Sequence, residues 1–403
     1  MDADLVVIGA GALGLSTALH AALLGRSVVL VDSRRAGSQA SGRAAGLFKS
    51  VQADELRTEL ARRSIARAVS FGDWAGAPLE VARSGSLLIA RTPEHKAYLR
   101  TEARQSRGWG ADVRELDALP AVSYYHGDGG ELALWCPDDV YIEEPTALVA
   151  AYADACVLHG VELLENEPVT GIAVSAGRVA AVQTAARTIT STLAVDAAGA
   201  WTRQVAELAG SQVAVAPVRH QLLITDQAGD VDPGDPIVRV VDAAVYLRPA
   251  RGGLMVGGFE AAPLAVDPRT RPPGFSTDDV PLDLAVLQKL GAALAAEVPL
   301  AASPPVAELR GGLFTMSPDG RFVAGPLPDV PGLWVASGCN GSGFSCSLAI
   351  GEALAAWICD APGRLDIGAL GPGRFGQVTD RELIEHGSWQ YAHYYDPAPS
   401  GQG

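Results

Sequence analysis

Near the amino terminus, Gly9-Ala10-Gly11-Ala12-Leu13-Gly14 sets three glycines at the spacing G-x-G-x-x-G, and an acid, Asp32, closes the next apolar run. The first glycine permits a tight turn, the second lets a ligand lie against backbone, and the third lets a helix pack on a strand. A diphosphate in that turn would sit at the positive end of the helix. Asp32 would accept hydrogen bonds from ribose hydroxyls, which argues against a 2′-phosphate at that position. The chemistry this predicts is dinucleotide binding; the plain alternative is a glycine-rich turn with no ligand.

Both NAD and FAD use this fingerprint, and two other segments favour FAD. The loop Gly37 to Leu47, with Ser41, Arg43, Ala44, Ala45 and Gly46, combines small residues with one cation, as expected where backbone follows a long extended ligand; alternatively it is a surface loop. The segment Gly332 to Phe344 reads as a strand entering the turn Gly338-Cys-Asn340-Gly341-Ser342-Gly343-Phe344 and then a helix. A helix start there would face the flavin ring where negative charge develops on reduction; alternatively it is a structural turn. On the substrate side, Tyr246 and Arg248 share one face of a strand because side chains alternate. Arg248 would grip a carboxylate, with Tyr246 donating to the same group, unless Arg248 forms a structural ion pair and Tyr246 is packing. His220 is a candidate acceptor for a substrate ammonium proton, against a structural role in its strand. Cys339 and Cys346 read as packing. The aromatic tail Trp389, Tyr391, His393, Tyr394 and Tyr395 either closes a pocket, meets another subunit, or adheres to the surface, the last being favoured.

These groups need two kinds of support. Leu5 to Ile8, a helix from about Leu13 to Gly25, and Val28 to Val31 read as strand, helix and parallel strand. Residues 53–74, 145–159, 282–297 and 345–359 carry helical patterns, and 161–198 reads as strand, hairpin and strand. Ser84 to Ala90, Val218 to Thr225, Ile237 to Arg248 and Gly253 to Phe259 look like strands of a second, largely antiparallel sheet. The fold class predicted is α/β: a Rossmann-like FAD-binding domain with a central parallel sheet, interleaved with an α+β substrate domain. The expected boundaries are 1–80, 145–215 and 305–372 for the FAD domain, 81–144 and 216–304 for the substrate domain, and 373–403 for a tail without fold signal.

Composition is consistent with this. The 403 residues, 48% hydrophobic and 19% charged, suffice for two cores. A net charge of -15 disfavours nucleic acid and anionic membrane surfaces as partners. The apolar start lacks a preceding Lys or Arg and reads as a nucleotide-binding strand and helix rather than a signal peptide, and no later run is long enough to cross a bilayer. A cytoplasmic protein is expected. The five cysteines are scattered, with no C-x-x-C pair to suggest zinc or a redox couple.

The ordered set Val7-Ile-Gly-Ala-Gly11-Ala-Leu-Gly14, Ser41-Gly-Arg-Ala-Ala-Gly46, Ala197-Ala-Gly-Ala-Trp201, Pro318-Asp-Gly320 and Ala336-Ser-Gly-Cys-Asn-Gly-Ser-Gly-Phe344 resembles the D-amino-acid oxidase superfamily, within it the glycine oxidase, sarcosine oxidase and dimethylglycine dehydrogenase branches. The resemblance covers nearly the whole chain. It implies FAD, a split FAD domain, and oxidation of an amine to an imine that water hydrolyses, with O2 or another electron acceptor completing turnover and a homo-oligomer as one arrangement. It also implies cofactor contacts from Gly9, Gly11, Ala12, Leu13, Gly14, Asp32, Ser33, Arg34, Ser41, Arg43, Ala44, Ala45, Gly46, Val169, Ala198, Gly199, Trp201, Gly338, Asn340, Gly341, Ser342, Gly343 and Phe344. The chain departs from the family at four places. Arg43 and Gly312 occupy positions where covalent relatives carry His or Cys, so the FAD is expected to be noncovalent. Met255 stands where sarcosine-oxidising relatives place an oxygen-activating Lys, and Phe314 where others hold the substrate carboxylate with Arg. Two rivals remain: an FAD-dependent hydroxylase or NAD(P)H-linked reductase, and an FAD-binding subunit that needs a partner.

Overall fold

Four consecutive apolar residues, Leu5–Ile8, leave no polar face, and such a strand must be covered on both sides. In the computed structural model, which describes residues 1–396, every one of them is buried between parallel partners, Val28–Val31 on one edge and Ala194–Asp196 on the other. The six-stranded sheet runs Val323–Pro326, Leu333–Ser337, Ala194–Asp196, Leu5–Ile8, Val28–Val31, Glu162–Leu164. All neighbours are parallel except the first pair. Helix Ala12–Leu23 returns the chain between the first two parallel strands and packs against helices Pro145–Leu158 and Ser347–Ile358. Gly351 makes the second contact close: a Cβ there would lie 2.2 Å from Ser16 Oγ. A three-stranded antiparallel meander, Val169–Ser175, Arg178–Thr184 and Thr188–Thr190, stands beside this sheet.

The eight-stranded sheet has the order Val306–Met316, Ala216–Thr225, Gly253–Gly258, Val245–Ala250, Ile237–Val240, Ser86–Ala90, Leu132–Cys136, Arg114–Leu116. It is antiparallel apart from the Ile237/Ser86 pair. The expected continuous strand Ile237 to Arg248 is a hairpin: Val241–Ala243 turns, and Ala244 takes a left-handed φ of +54°. The expected helix over 53–74 is two, Glu55–Val69 and Phe71–Ala75.

Two segments differ in placement. Val306–Met316, expected in the FAD domain, pairs along its whole length with Ala216–Thr225, so it belongs to the antiparallel sheet and the chain crosses over only after Met316. Gly311 and Gly312 hide it from sequence reading, since they contribute no apolar face yet permit close passage: a Cβ on Gly312 would lie 3.2 Å from Ala40 Cα. The tail expected to lack structure forms helix Asp380–Ala392, opened by a reciprocal Thr379/Glu382 capping box. Residues 397–403 of that tail lie outside the described residues.

Candidate functional site

The three fingerprint glycines do different work. Gly9 has φ +106°, and a Cβ on it would lie 2.5 Å from Ala197 O; its N–H donates to Val31 O at 2.8 Å. Gly14 brings the helix onto the strand, for its Cβ would stand 1.8 Å from Gly9 O. Gly14 was expected to touch the cofactor, but it is absent from the cavity wall and serves packing. Gly11 does line the cavity, and its nearest obstacle is the Ser41 hydroxyl at 3.2 Å, which also accepts from Ala12 N–H at 3.0 Å. Asp32 accepts from Ala10 N–H at 2.6 Å and from Arg34 N–H at 2.8 Å. Burial raises its pKa, partly offset by those two donors. The carboxylate therefore ties the glycine turn to the strand end while still facing the cavity.

That cavity is continuous and measures about 930 Å³. Its wall on the parallel-sheet side includes Gly9, Gly11, Ala12, Leu13, Asp32, Ser33, Arg34, Val169, Ala198, Gly199 and Trp201. The loop supplies Ser41, Arg43, Ala44, Ala45 and Gly46, and the late turn supplies Gly341, Ser342, Gly343 and Phe344. Small-molecule sites span roughly 300–1,000 Å³, so the space suits a large extended ligand. Glycine backbone, an open helix start and a half-buried acid meet in one wall, which is the set of donors and acceptor that a diphosphate-linked ribose requires. These residues fit FAD. Arg43 lines the loop side with its charge answered by Asp278 at 2.6 Å.

Gly338 and Asn340, expected as cofactor contacts, lie outside the wall. Asn340 instead stitches the late turn to the end of Val306–Met316: its Oδ1 accepts from Ser317 N–H at 3.0 Å, its Nδ2 donates to Ser317 Oγ at 3.0 Å, and its own N–H donates to Thr315 O at 2.9 Å. Cys339 N–H adds a bond to Thr315 Oγ1 at 3.1 Å. Gly338 allows this seam to close, since a Cβ there would lie 2.5 Å from Val323 Cγ2.

On the antiparallel-sheet side, His220 and Tyr246 line the cavity and Arg248 does not. Arg248 is fully buried. Its Nε donates to Ala45 O at 3.0 Å, Nη1 to Pro249 O at 2.7 Å and Nη2 to Glu143 O at 2.8 Å. The guanidinium also faces Glu143 Oε2 at 3.3 Å and the Tyr141 ring. With its donors consumed, it positions the Ala45 loop and does not grip a substrate. His220 is held by two hydroxyls, Tyr391 on Nδ1 and Tyr246 on Nε2, both at 2.8 Å, and stacks on Phe314 with ring centroids 4.3 Å apart. Burial lowers its pKa to about 3. So weakly basic a ring, with both nitrogens bonded to hydroxyls, is a poor acceptor for an ammonium proton and instead orients the Tyr246 hydroxyl.

Three wall residues, Phe259, Lys49 and Arg239, had no individual sequence signal. Phe259 stacks on Tyr394 with centroids 3.9 Å apart, and Tyr394 and Tyr395 both reach the cavity. Tyr394 and Tyr395 thus close a pocket and Tyr391 is buried behind it, whereas Trp389 is exposed and stacks on His393 outside the wall. Lys49 donates to Tyr394 Oη at 2.5 Å and also lines the wall. Arg239 is buried against Asp139 at 2.6 Å, so that wall acid is already paired. Met255 is wholly buried among Leu222, Ile224 and Ala250, away from the cavity.

A family model described as FAD dependent oxidoreductase matches residues 4–357, and the chain belongs to that family. It is 27% identical over 399 residues to mitochondrial sarcosine dehydrogenase of Homo sapiens, covering 96% of this chain and 42% of that protein. Against mitochondrial dimethylglycine dehydrogenase of Rattus norvegicus it is 27% identical over 399 residues, covering 95% and 46% respectively. The chain therefore spans under half the length of these curated relatives. Among solved structures, L-proline dehydrogenase from P. horikoshii superposes with a TM-score of 0.82 at 22% identity, over 93% of this chain and 98% of that one, a likeness of fold.

Proposed function

We propose that this protein oxidises the C–N bond of an amino acid or related amine. The observation that carries the reading is one cavity whose wall passes from a glycine turn and Asp32 to Tyr246, Phe259, Phe314 and Tyr394, so that a dinucleotide and a small organic substrate share a single space. FAD, when bound, supplies the two-electron acceptor.

The chain's residues bind and orient. The Tyr246 hydroxyl, fixed by His220, is one polar group presented to the substrate. The surrounding rings exclude water, and desolvation favours the uncharged amine, whose lone pair becomes the C=N bond as the carbon-bound hydrogen leaves with its electron pair. The iminium product is then hydrolysed by water to an amine and a carbonyl compound. Noncovalent FAD is supported by Arg43 and Gly312 at the positions where a covalent link would form, and an acceptor other than O2 by Met255, which is buried outside the cavity. Among the described residues no helix is long and apolar enough to cross a membrane. All five cysteines are free, which supports a reducing, cytoplasmic setting.

The test is anaerobic mixing of the yellow protein with glycine, N-methylglycine, N,N-dimethylglycine, L-proline and a D-amino-acid panel. Bleaching by at least one amine is expected, with slower reoxidation by O2 than by a redox dye. Bleaching by NAD(P)H alone, with every amine inert, would put the reductase reading in its place. Acid denaturation should release the flavin into solution.

A further inference from the structure

Resting on the amine-oxidising reading, we infer that Lys49 and the Tyr394 hydroxyl form the subsite for a substrate carboxylate, so that the substrates are amino acids rather than simple amines. The remaining cations of the cavity wall are ion-paired or stand elsewhere, although Arg239 Nε and Arg310 Nη1 are buried donors without a partner. Arg239 pairs with Asp139 at 2.6 Å, Arg310 with Glu308 at 2.7 Å, and Arg43 with Asp278 at 2.6 Å. Arg34 donates to Gly274 O, on the side of Asp32, and Arg271 lies over Phe275. Lys49 alone meets the aromatic wall without an ion pair among the described residues: its Nζ donates to Tyr394 Oη at 2.5 Å and lies 4.3 Å from that ring's centroid. Glu102, behind the wall, feels the Lys49 charge but takes its hydrogen bond from Tyr98 at 3.2 Å.

An ammonium in a ring-lined cavity without a counter-ion is costly until an anion arrives, and a hydroxyl beside it adds a second donor to that anion. Tyr394 also lies against the late turn, since a Cβ on Gly341 would come 3.5 Å from Tyr394 Cε2 and 3.0 Å from Phe314 Cε2. The pair therefore belongs to the same corner as Tyr246, His220 and Phe314, where the amine is read. Lys49 comes from the strand end after the Ala45 loop and Tyr394 from beyond the last helix, so the two parts of this subsite lie far apart in sequence.

The experiment uses the FAD-loaded chain and matched pairs that differ only by the carboxyl group: N-methylglycine and dimethylamine, L-proline and pyrrolidine. The acid should exceed its decarboxylated partner in kcat/KM, and Lys49→Met should lower that ratio by roughly tenfold or more, with Lys49→Arg restoring most of it and Tyr394→Phe lowering it less. Calorimetry with propionate should show binding to the parent that weakens by a similar factor in Lys49→Met. Equal use of acids and decarboxylated amines by the parent, or an unchanged ratio and unchanged propionate affinity in a Lys49→Met protein that retains its flavin, would overturn the inference. If no amine bleaches the protein, the amine-oxidising reading fails, and propionate binding still decides the role of Lys49.

Discussion

At the scale of single residues, the fingerprint separates into glycines that serve the fold and one that serves the ligand. Gly14→Ala places a methyl against Gly9 O, where a Cβ has only 1.8 Å, and should cost about 1–3 kcal/mol as an overpacked contact, read as a lower Tm even without FAD. Gly11→Ala meets only a hydroxyl at 3.2 Å, so Tm without FAD should hold while FAD affinity falls by roughly tenfold or more, measured by fluorescence titration. Equal effects of both changes on the unliganded protein would refute the division of labour. His220→Asn should lower kcat by leaving the Tyr246 hydroxyl unanchored, and Tyr246→Phe should lower it similarly, with little added by the double change because the two act as a unit. The glycine turn, Asp32 and the late turn were legible because each carries its own backbone requirement. Arg248 was not: strand alternation gives the face a side chain points from, but not the carbonyls of Ala45, Glu143 and Pro249 that meet it there.

Elements were legible where apolar periodicity was strong and opaque where it was weak. The strands Leu5–Ile8, Val28–Val31 and Leu333–Ser337 stand where their apolar runs predict. Helix Pro93–Gly108 buries only Leu99, Ala103 and Ser106, so its sequence shows mostly its solvent face. Helix Asp380–Ala392 has the same problem, burying Leu383, Gly387 and Tyr391. Its capping box was the readable sign of a helix start. Thr379→Ala should remove that cap at a cost of about 1 kcal/mol, and because the helix delivers Tyr391 to His220, amide exchange across 380–392 should accelerate while KM for the best substrate rises. Faster exchange with no kinetic change would mean that the helix is a passive cover.

For the molecule as a whole, acid stability is set in part by two buried histidines. His20 and His220 have pKa values lowered by burial to about 4 and about 3, against 6.5 in the unfolded chain. As pH falls below 6.5 the unfolded chain takes up these protons first, so stability present above that value is lost progressively on acidification. Asp196, raised well above the ordinary range by burial, acts in the opposite sense, so the parent's total slope mixes both. The difference isolates the histidine: His20→Gln should show a shallower fall of Tm from about pH 7 to about pH 5 than the parent, and an identical slope would remove His20 from the account.

The seam from Thr315 to Ser317 and from Cys339 to Asn340 has a mechanical corollary. It rivets the rim strand of one sheet to the turn leaving the other, through both backbone and side-chain bonds. Sliding there would break all of these at once, so rocking between the sheets must pivot about this corner. Traffic in and out of the chamber is then left to the lip away from this corner, where the Arg271 to Phe275 loop forms part of the wall.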